Sequence, residues 1–311
     1  MELRKDYVLD RWVIISENRN YRPNENKEKK KKRKVKFCPF CPENEAITPP
    51  EIYRLDEGDH WKIRAFENKF PAVALDGQAK IETHNKYFTF SNSYGKHEII
   101  VETPEHKPFS DLKSEEIKKV FDVYNLRIKE LYKLPKIKYV QVFKNSGKKS
   151  GESIGHSHSQ LIAYNKIPHW IEKEVEASEK KCPYCEIIEI EKNSDRRCFE
   201  NEFFVAFTPY ASRFPYEIWI FPKEHIKNFD EMNNSKRLYL AEILKKVLMK
   251  LRKMDASYNY AIHYAPKDKD LHFHIEIYPR ISIWGGFELG TGDIINTVSP
   301  EDAARFYRSY D

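Results

Sequence analysis

The chain has 311 residues, 40% of them hydrophobic and 14% aromatic, enough to bury one large core or two modest ones. No run of about 18 apolar residues occurs and the first residues, MELRKDYVLDRW, lack an apolar leader stretch, so neither a membrane span nor a secretory signal is expected and a cytoplasmic protein follows. The net charge of +6 is local: residues 27–36 carry eight Lys or Arg against one Glu and leave the remainder near neutral, which argues against a nucleic-acid-binding surface.

In chain order, residues 7–15 (YVLDRWVII) read as a strand, and the Lys27–Lys36 run as a solvated loop, because blocks of like charge repel. Residues 97–103 read as a strand. Ser110 to Tyr132 reads as a helix, its apolar residues recurring at three and four positions. Residues 139–145 and 157–164 read as strands. The second half repeats the scheme, with strands at 203–209, 217–222, 259–265 and 271–279 and a helix from about Asp230 to Arg252. A last helix is expected from Ser299, where Ser can cap and Pro300 suits the first helical position. Strand-rich halves with one long helix each predict an α+β fold, an antiparallel sheet with packed helices.

Four features recur in the same order, which indicates a duplicated unit. Cys38-Pro-Phe-Cys41 is answered by Cys182-Pro-Tyr-Cys185, and Phe66-Glu-Asn-Lys-Phe70 by Phe199-Glu-Asn-Glu-Phe203. Glu98 and His106 are answered by Glu217 and His225, and His156-Ser-His158 by His272-Phe-His274. The seam falls near residues 165–181, dividing the chain into halves 1–170 and 171–311.

Paired CxxC turns in a chain of five cysteines point to metal before disulfide. Each half offers two cysteines, one later histidine and the first histidine of an HxH. Cys38, Cys41, His106 and His156 form one Cys2His2 set, and Cys182, Cys185, His225 and His272 the other, the donor types of closed structural zinc sites. Two zinc ions per chain are expected. Cys198 has no partner in this scheme and reads as a buried thiol.

The string from Val142 to Gly147, then Ser153 to Gln160, holds the candidate chemistry. On a strand, His156, His158 and Gln160 point to one side. His156 can then ligate metal while His158 faces a ligand. A neutral imidazole suits attack on phosphorus, since its ordinary pKa of about 6.5 leaves the free base dominant at neutral pH. Gln160, Ser153 and the amides of the loop around Gly155 can donate to phosphate oxygens. On spacing alone, an HxH that supplies two metal ligands stays open.

These residues resemble galactose-1-phosphate uridylyltransferase and its relatives in the histidine-triad superfamily, over about residues 5–310. The resemblance implies two duplicated histidine-triad-like halves, with His158 of the HxHxQ segment as nucleophile. It implies phosphate or nucleotide contacts for Arg19 and Arg22, for Asn68 of the FENxF segment, and for Asn145, Ser153 and Gly155. Glu288, in Gly286-Phe287-Glu288, matches a hexose contact, but the Gln that follows it in galactose enzymes has no clear counterpart. The GFExGTGxxIN wording, HSHSQ and the second CxxC are similar to the ADP-glucose phosphorylase branch.

The reading that follows is a UDP-glucose–hexose-1-phosphate uridylyltransferase working by ping-pong transfer, its partners a nucleotide sugar and hexose 1-phosphate. An ADP-glucose phosphorylase using inorganic phosphate is the alternative, and a zinc-containing nucleic-acid-binding module is a further one. A homodimer in which Arg19 or Arg22 reaches the partner's nucleotide is also implied.

Overall fold

A computed structural model describes residues 1–17, 37–77, 79–80 and 82–309. Arg19, Arg22 and the Lys27–Lys36 run lie outside the described residues. The first half contributes β1 (Glu2–Lys5), β2 (Trp12–Ile15), β3 (Glu51–Glu57), β4 (His60–Glu67), β5 (Glu82–Thr83), β6 (Thr89–Phe90) and β7 (Gly95–Val101). Helix α1 (Ser114–Tyr132), β8 (Tyr139–Ser146) and β9 (His158–Tyr164) follow, and α2 (His169–Ser178) spans the seam. The second half holds α3 (Pro183–Glu191), β10 (Arg197–Glu200), β11 (Phe204–Phe207), β12 (Ile218–Pro222), α4 (Asn234–Lys253), β13 (Tyr258–His263) and β14 (His274–Pro279). The chain closes with α5 (Gly286–Thr291), β15 (Ile294–Asn296) and α6 (Pro300–Arg308).

Ten strands form one antiparallel sheet in the order β10-β11-β12-β14-β13-β8-β9-β7-β4-β3. Read outward from its centre, the order is the same on both sides. The centre is the β8–β13 pair, from Val142↔Ile262 to Ser146↔Tyr258. The α+β expectation therefore holds, and the long helix of each half falls between equivalent strands. Helix α1 buries Ile117, Val120, Phe121, Tyr124, Ile128 and Leu131, the three-and-four stripe of a core-facing helix. Helix α4 does the same with Leu240, Ile243, Leu244, Val247, Leu248 and Leu251, and the two helices pack on each other. Both helices begin about four residues later than read from sequence, because 109–111 and 229–231 form single 3-10 turns first.

Three of the four sequence echoes sit at equivalent places in the two halves. The FENxF echo does not. Phe66–Phe70 begins in the last two residues of β4, which pairs with β7, whereas Phe199–Phe203 begins in the last two of β10, the edge strand. In mirrored order β4 corresponds to β11, so this likeness of wording is not a likeness of position.

Other elements escaped the sequence reading. The seam is occupied by α2 rather than by a linker, and Cys182 caps α3, with Pro183 in its first turn. Residues 7–15 are strand only from Trp12 onward. That strand pairs in parallel with β15, Val13 opposite Ile294, and so ties the N-terminus to the C-terminal segment. Ser299 caps α6 as expected, its side chain accepting from the Asp302 amide. Among the described residues no helix is long and apolar enough to cross a membrane.

Candidate functional site

The two predicted Cys2His2 sets each converge, their four donor atoms within 4.8 Å of one another. In the first set Nδ1 of His156 lies 3.6 Å from Cys38 Sγ and 3.5 Å from Cys41 Sγ, and Nδ1 of His106 lies 3.7 Å from Cys41 Sγ. In the second, Nδ1 of His272 lies 3.8 Å from Cys182 Sγ and 3.6 Å from Cys185 Sγ, and Nδ1 of His225 lies 3.3 Å from Cys185 Sγ. Bonds of roughly 2.3 Å to sulfur and 2.0–2.1 Å to nitrogen at tetrahedral angles put sulfur and nitrogen about 3.6 Å apart. The donors therefore fit such an ion.

The surroundings suit ligation as well. Nε2 of His156 lies 2.8 Å from the Thr103 carbonyl, and Nε2 of His272 lies 2.9 Å from that of Pro222. Nε2 of His225 lies 2.8 Å from a carboxylate oxygen of Asp270. These outer partners leave each Nδ1 as the ligating atom. Burial and the neighbouring thiol push Cys41 up to about 11, and burial pushes Cys182 up to about 12, so paired thiolates here call for a cation. Cys198 is a buried thiol apart from both groups, as read from sequence.

A third group was not anticipated. Glu174, His263, His274 and Glu276, all buried, also bring their donor atoms within 4.8 Å. Glu174 holds His263 at 2.9 Å and Glu276 holds Arg213 at 2.9 Å, so each carboxylate already has a basic partner. His274 Nε2 is buried without a hydrogen-bond partner. Glutamates at inward strand or helix positions were the available signal.

Strand β9 begins at His158, beside the first Cys2His2 group. The Phe40 ring faces both histidines, its centroid 6.2 Å from His156 and 5.3 Å from His158, so the two rings share a side as the period of two requires. Nδ1 of His158 lies 2.8 Å from the His156 carbonyl. A carbonyl only accepts, so Nδ1 carries the proton and Nε2 keeps its lone pair. Burial, then the nearby Lys144 ammonium, hold this imidazole below the ordinary histidine range, which favours the neutral base.

Gln160, two residues on, is fixed by a residue that sequence reasoning passed over. His97 Nδ1 accepts from the Ala72 amide at 3.2 Å, so its Nε2 donates to Gln160 Oε1 at 2.9 Å. The Gln160 amide nitrogen is thereby turned away from His97. Asn68 lies against the same imidazole, with Nδ2 3.2 Å from Nε2. Asn68, just past β4, His97 on β7 and Gln160 on β9 thus form one polar row.

The remaining site candidates are spread more widely. Asn145 accepts from Asn259 Nδ2 at 2.7 Å across the central strand pair. Ser153 and Gly155 are exposed on the loop leading into His156. That loop leaves β8 through Gly147 at φ 85°, where an added Cβ would meet Ser257 Oγ at 2.3 Å. Glu288 stands apart. It lies on α5, which packs on β15, and its carboxylate accepts from the Gly285 amide at 2.8 Å.

The galactose-1-phosphate uridyl transferase N-terminal domain model matches residues 1–168, more than half of the chain. The chain belongs to this family. A domain of unknown function (DUF4921) matches residues 103–306. The ADP-glucose phosphorylase of Arabidopsis thaliana is 35% identical, over 99% of this chain and 92% of that protein. The galactose-1-phosphate uridylyltransferase of Thermotoga maritima is 30% identical, over 99% and 98%. A crystal structure of the Arabidopsis phosphorylase with bound ADP-glucose superposes with a TM-score of 0.86 at 33% identity, covering 100% of this chain and 99% of that one. With these relatives, the chain is a nucleotidyltransferase.

Proposed function

We propose that His158 takes the nucleoside monophosphate from a nucleoside diphosphate hexose and passes it to a second phosphate, in a ping-pong transfer. The observation that carries this reading is the buried His158 imidazole, with Nδ1–H engaged by the His156 carbonyl, Nε2 left to attack, and burial favouring its neutral form. Nε2 bonds to the α-phosphorus as the bond to the bridging oxygen breaks, and hexose 1-phosphate leaves with that electron pair. The leaving oxygen already belongs to a phosphate, so little proton donation is needed. An oxygen of the acceptor phosphate then displaces the histidine and restores the free imidazole.

Gln160, its amide turned away from His97, donates to a nonbridging oxygen, and Ser153 with the amides near Gly155 does likewise. Asn68 and Asn145 contact the nucleotide side, and Glu288 the hexose. Each Cys2His2 group holds one zinc, two per chain, which when bound crosslinks an HxH segment to a CxxC turn and stays off the phosphate. We assign the halves 1–170 and 171–311 to two histidine-triad-like units, of which the first carries the chemistry. In a homodimer, Arg19 or Arg22 of one subunit reaches the nucleotide of the other.

Two donor and acceptor pairs suit this site: UDP-glucose with hexose 1-phosphate, and ADP-glucose with inorganic phosphate. The second is favoured by the matching second Cys2His2 group and by the higher similarity to the plant phosphorylase in both sequence and structure. Incubation with each nucleotide sugar labelled at the α-phosphate, followed by a chase with inorganic phosphate or galactose 1-phosphate, tests both readings, since glucose 1-phosphate would only reverse the first step. Label is expected on His158 from the true donor, released by the true acceptor. A protein labelled by neither sugar overturns the transfer reading.

A further inference from the structure

Ser157 lies between His156 and His158 and meets, away from the reacting atoms, a buried pair of opposite charges. Lys144 on β8 and Glu102, just past β7, are each 2% exposed, and Lys144 Nζ lies 2.5 Å from Glu102 Oε2. Glu102 also accepts from Ser157 Oγ at 2.6 Å and from the Tyr124 hydroxyl of α1 at 3.0 Å. The Tyr124 and Tyr260 hydroxyls lie 2.8 Å apart, and the Phe109 ring lies 4.9 Å from the ammonium. The ammonium makes two further bonds, to Ser157 Oγ at 3.1 Å and to the His158 carbonyl at 2.8 Å.

The backbone register shows why that carbonyl takes a side-chain donor. Strand β8 pairs with β9 from Tyr139↔Tyr164 to Phe143↔Gln160. On its other side β9 continues in register with β7 to Val101↔His158. The ladder to β8 thus ends before His158, and Lys144 supplies a donor beyond its end. A buried ion pair holds a fold no better than apolar residues of similar volume, so its place directly behind the HxH segment calls for another reason.

We propose that Lys144, locked by Glu102, is a positioning residue for nucleotidyl transfer: by holding the His158 carbonyl it fixes the backbone from which the imidazole projects. The Nδ1–H bond to the His156 carbonyl fixes the ring, and the Lys144 bond fixes the main chain. This rests on transfer through His158. Lys144 touches neither substrate nor the reacting atoms.

The test uses the full chain with its metal. Lys144→Met alone strands a buried carboxylate, so the variants are the charge-balanced pairs E102Q/K144M and E102Q/K144Q, the second keeping an amide donor in place of the ammonium. Thermal melting confirms folding, and the single-turnover rate of adduct formation with labelled ADP-glucose or UDP-glucose is read beside the nucleotide-sugar dissociation constant. E102Q/K144M is expected to form the adduct on the order of 10²-fold more slowly, the scale of a misplacement of roughly 1 Å, with affinity changed less than about threefold. E102Q/K144Q is expected to recover part of that rate. A folded E102Q/K144M at the parent rate overturns the assignment of Lys144 alone. Equal slowing of the two pairs ascribes the loss to charge and also overturns positioning through the carbonyl. A parent protein that takes up no nucleotide overturns the transfer reading, and this inference with it.

Discussion

His97 Nε2 lies 2.9 Å from Gln160 Oε1, and the direction of that hydrogen bond is set by the Ala72 amide on the other ring nitrogen. His97 therefore decides which end of the Gln160 amide is held and which is left to donate elsewhere. Replacing His97 by Ala lets the amide rotate, so kcat should fall about tenfold with KM little changed. Gln160→Ala, which deletes the donor itself, should cost on the order of 10²-fold or more. Steady-state kinetics of the two variants check this; a His97→Ala enzyme with parent kcat would show that Gln160 needs no orienting partner.

His158 and His274 are matched in position yet differ in surroundings. Tyr184 faces His274 at 5.1 Å much as Phe40 faces His158 at 5.3 Å. Phe221, however, stacks on His274 at 4.6 Å, and the buried His274 Nε2 faces the Glu276 carboxylate at 3.7 Å, too far for a hydrogen bond. His158→Ala should abolish the covalent nucleotidyl adduct and His274→Ala should leave it able to form. Mass spectrometry after mixing with nucleotide sugar reads the added mass, and a parent-level adduct on the His158→Ala protein would move the nucleophile elsewhere.

Two zinc equivalents per chain are expected on metal analysis, and Cys38→Ser should lower the melting temperature because binding at a structural site is folding free energy. The second group has an added handle in the His225–Asp270 contact. Asp270→Asn should weaken zinc at that site about 10–100-fold while sparing the first. Competition with a chelator, followed metal by metal, would expose an equal effect on both sites and contradict the assignment.

Glu301, in the first turn of α6, holds Arg4 and Arg196 at 3.0 Å each. Burial raises its carboxyl, but its own amide and the two arginines outweigh burial and hold it below the usual carboxylate range. A pKa lowered by folding stabilises the native state above the unfolded value of about 4.3, and that contribution is lost as pH falls through the folded value. Glu301→Gln should therefore cost on the order of 1 kcal/mol at pH 7 and much less near pH 3. Denaturant unfolding at both pH values gives the comparison. A penalty independent of pH would mean that the carboxylate charge is not what the arginines hold.

Arg22→Ala and His158→Ala subunits, each inactive alone, should regain activity when mixed if sites are shared across a dimer, because guanidinium groups remain charged and grip phosphate in pairs. Full activity from a monomer at assay concentration, measured by light scattering, would exclude that arrangement.

The sequence by itself determined what depends on local spacing. The stripe from Ile117 to Leu131 can bury only one helical face, Ser299 can cap only a helix that follows it, and His156 and His158, two apart, must share a side. The two Cys2His2 sets were legible because each motif occurs twice. Tertiary structure decided whatever depends on partners distant in sequence. Val13 finds Ile294 across nearly the whole chain, Asp270 meets His225, and Lys144 meets Glu102 and the His158 carbonyl only where β8 and β9 part. The mirrored sheet also separated Phe66–Phe70 from Phe199–Phe203 despite their shared wording, since strand order follows from long-range pairing rather than from a five-residue string. A polar side chain reads as surface until the fold supplies its partner, and so His97, Lys144, Glu174 and Glu276 stayed hidden until the sheet closed around them.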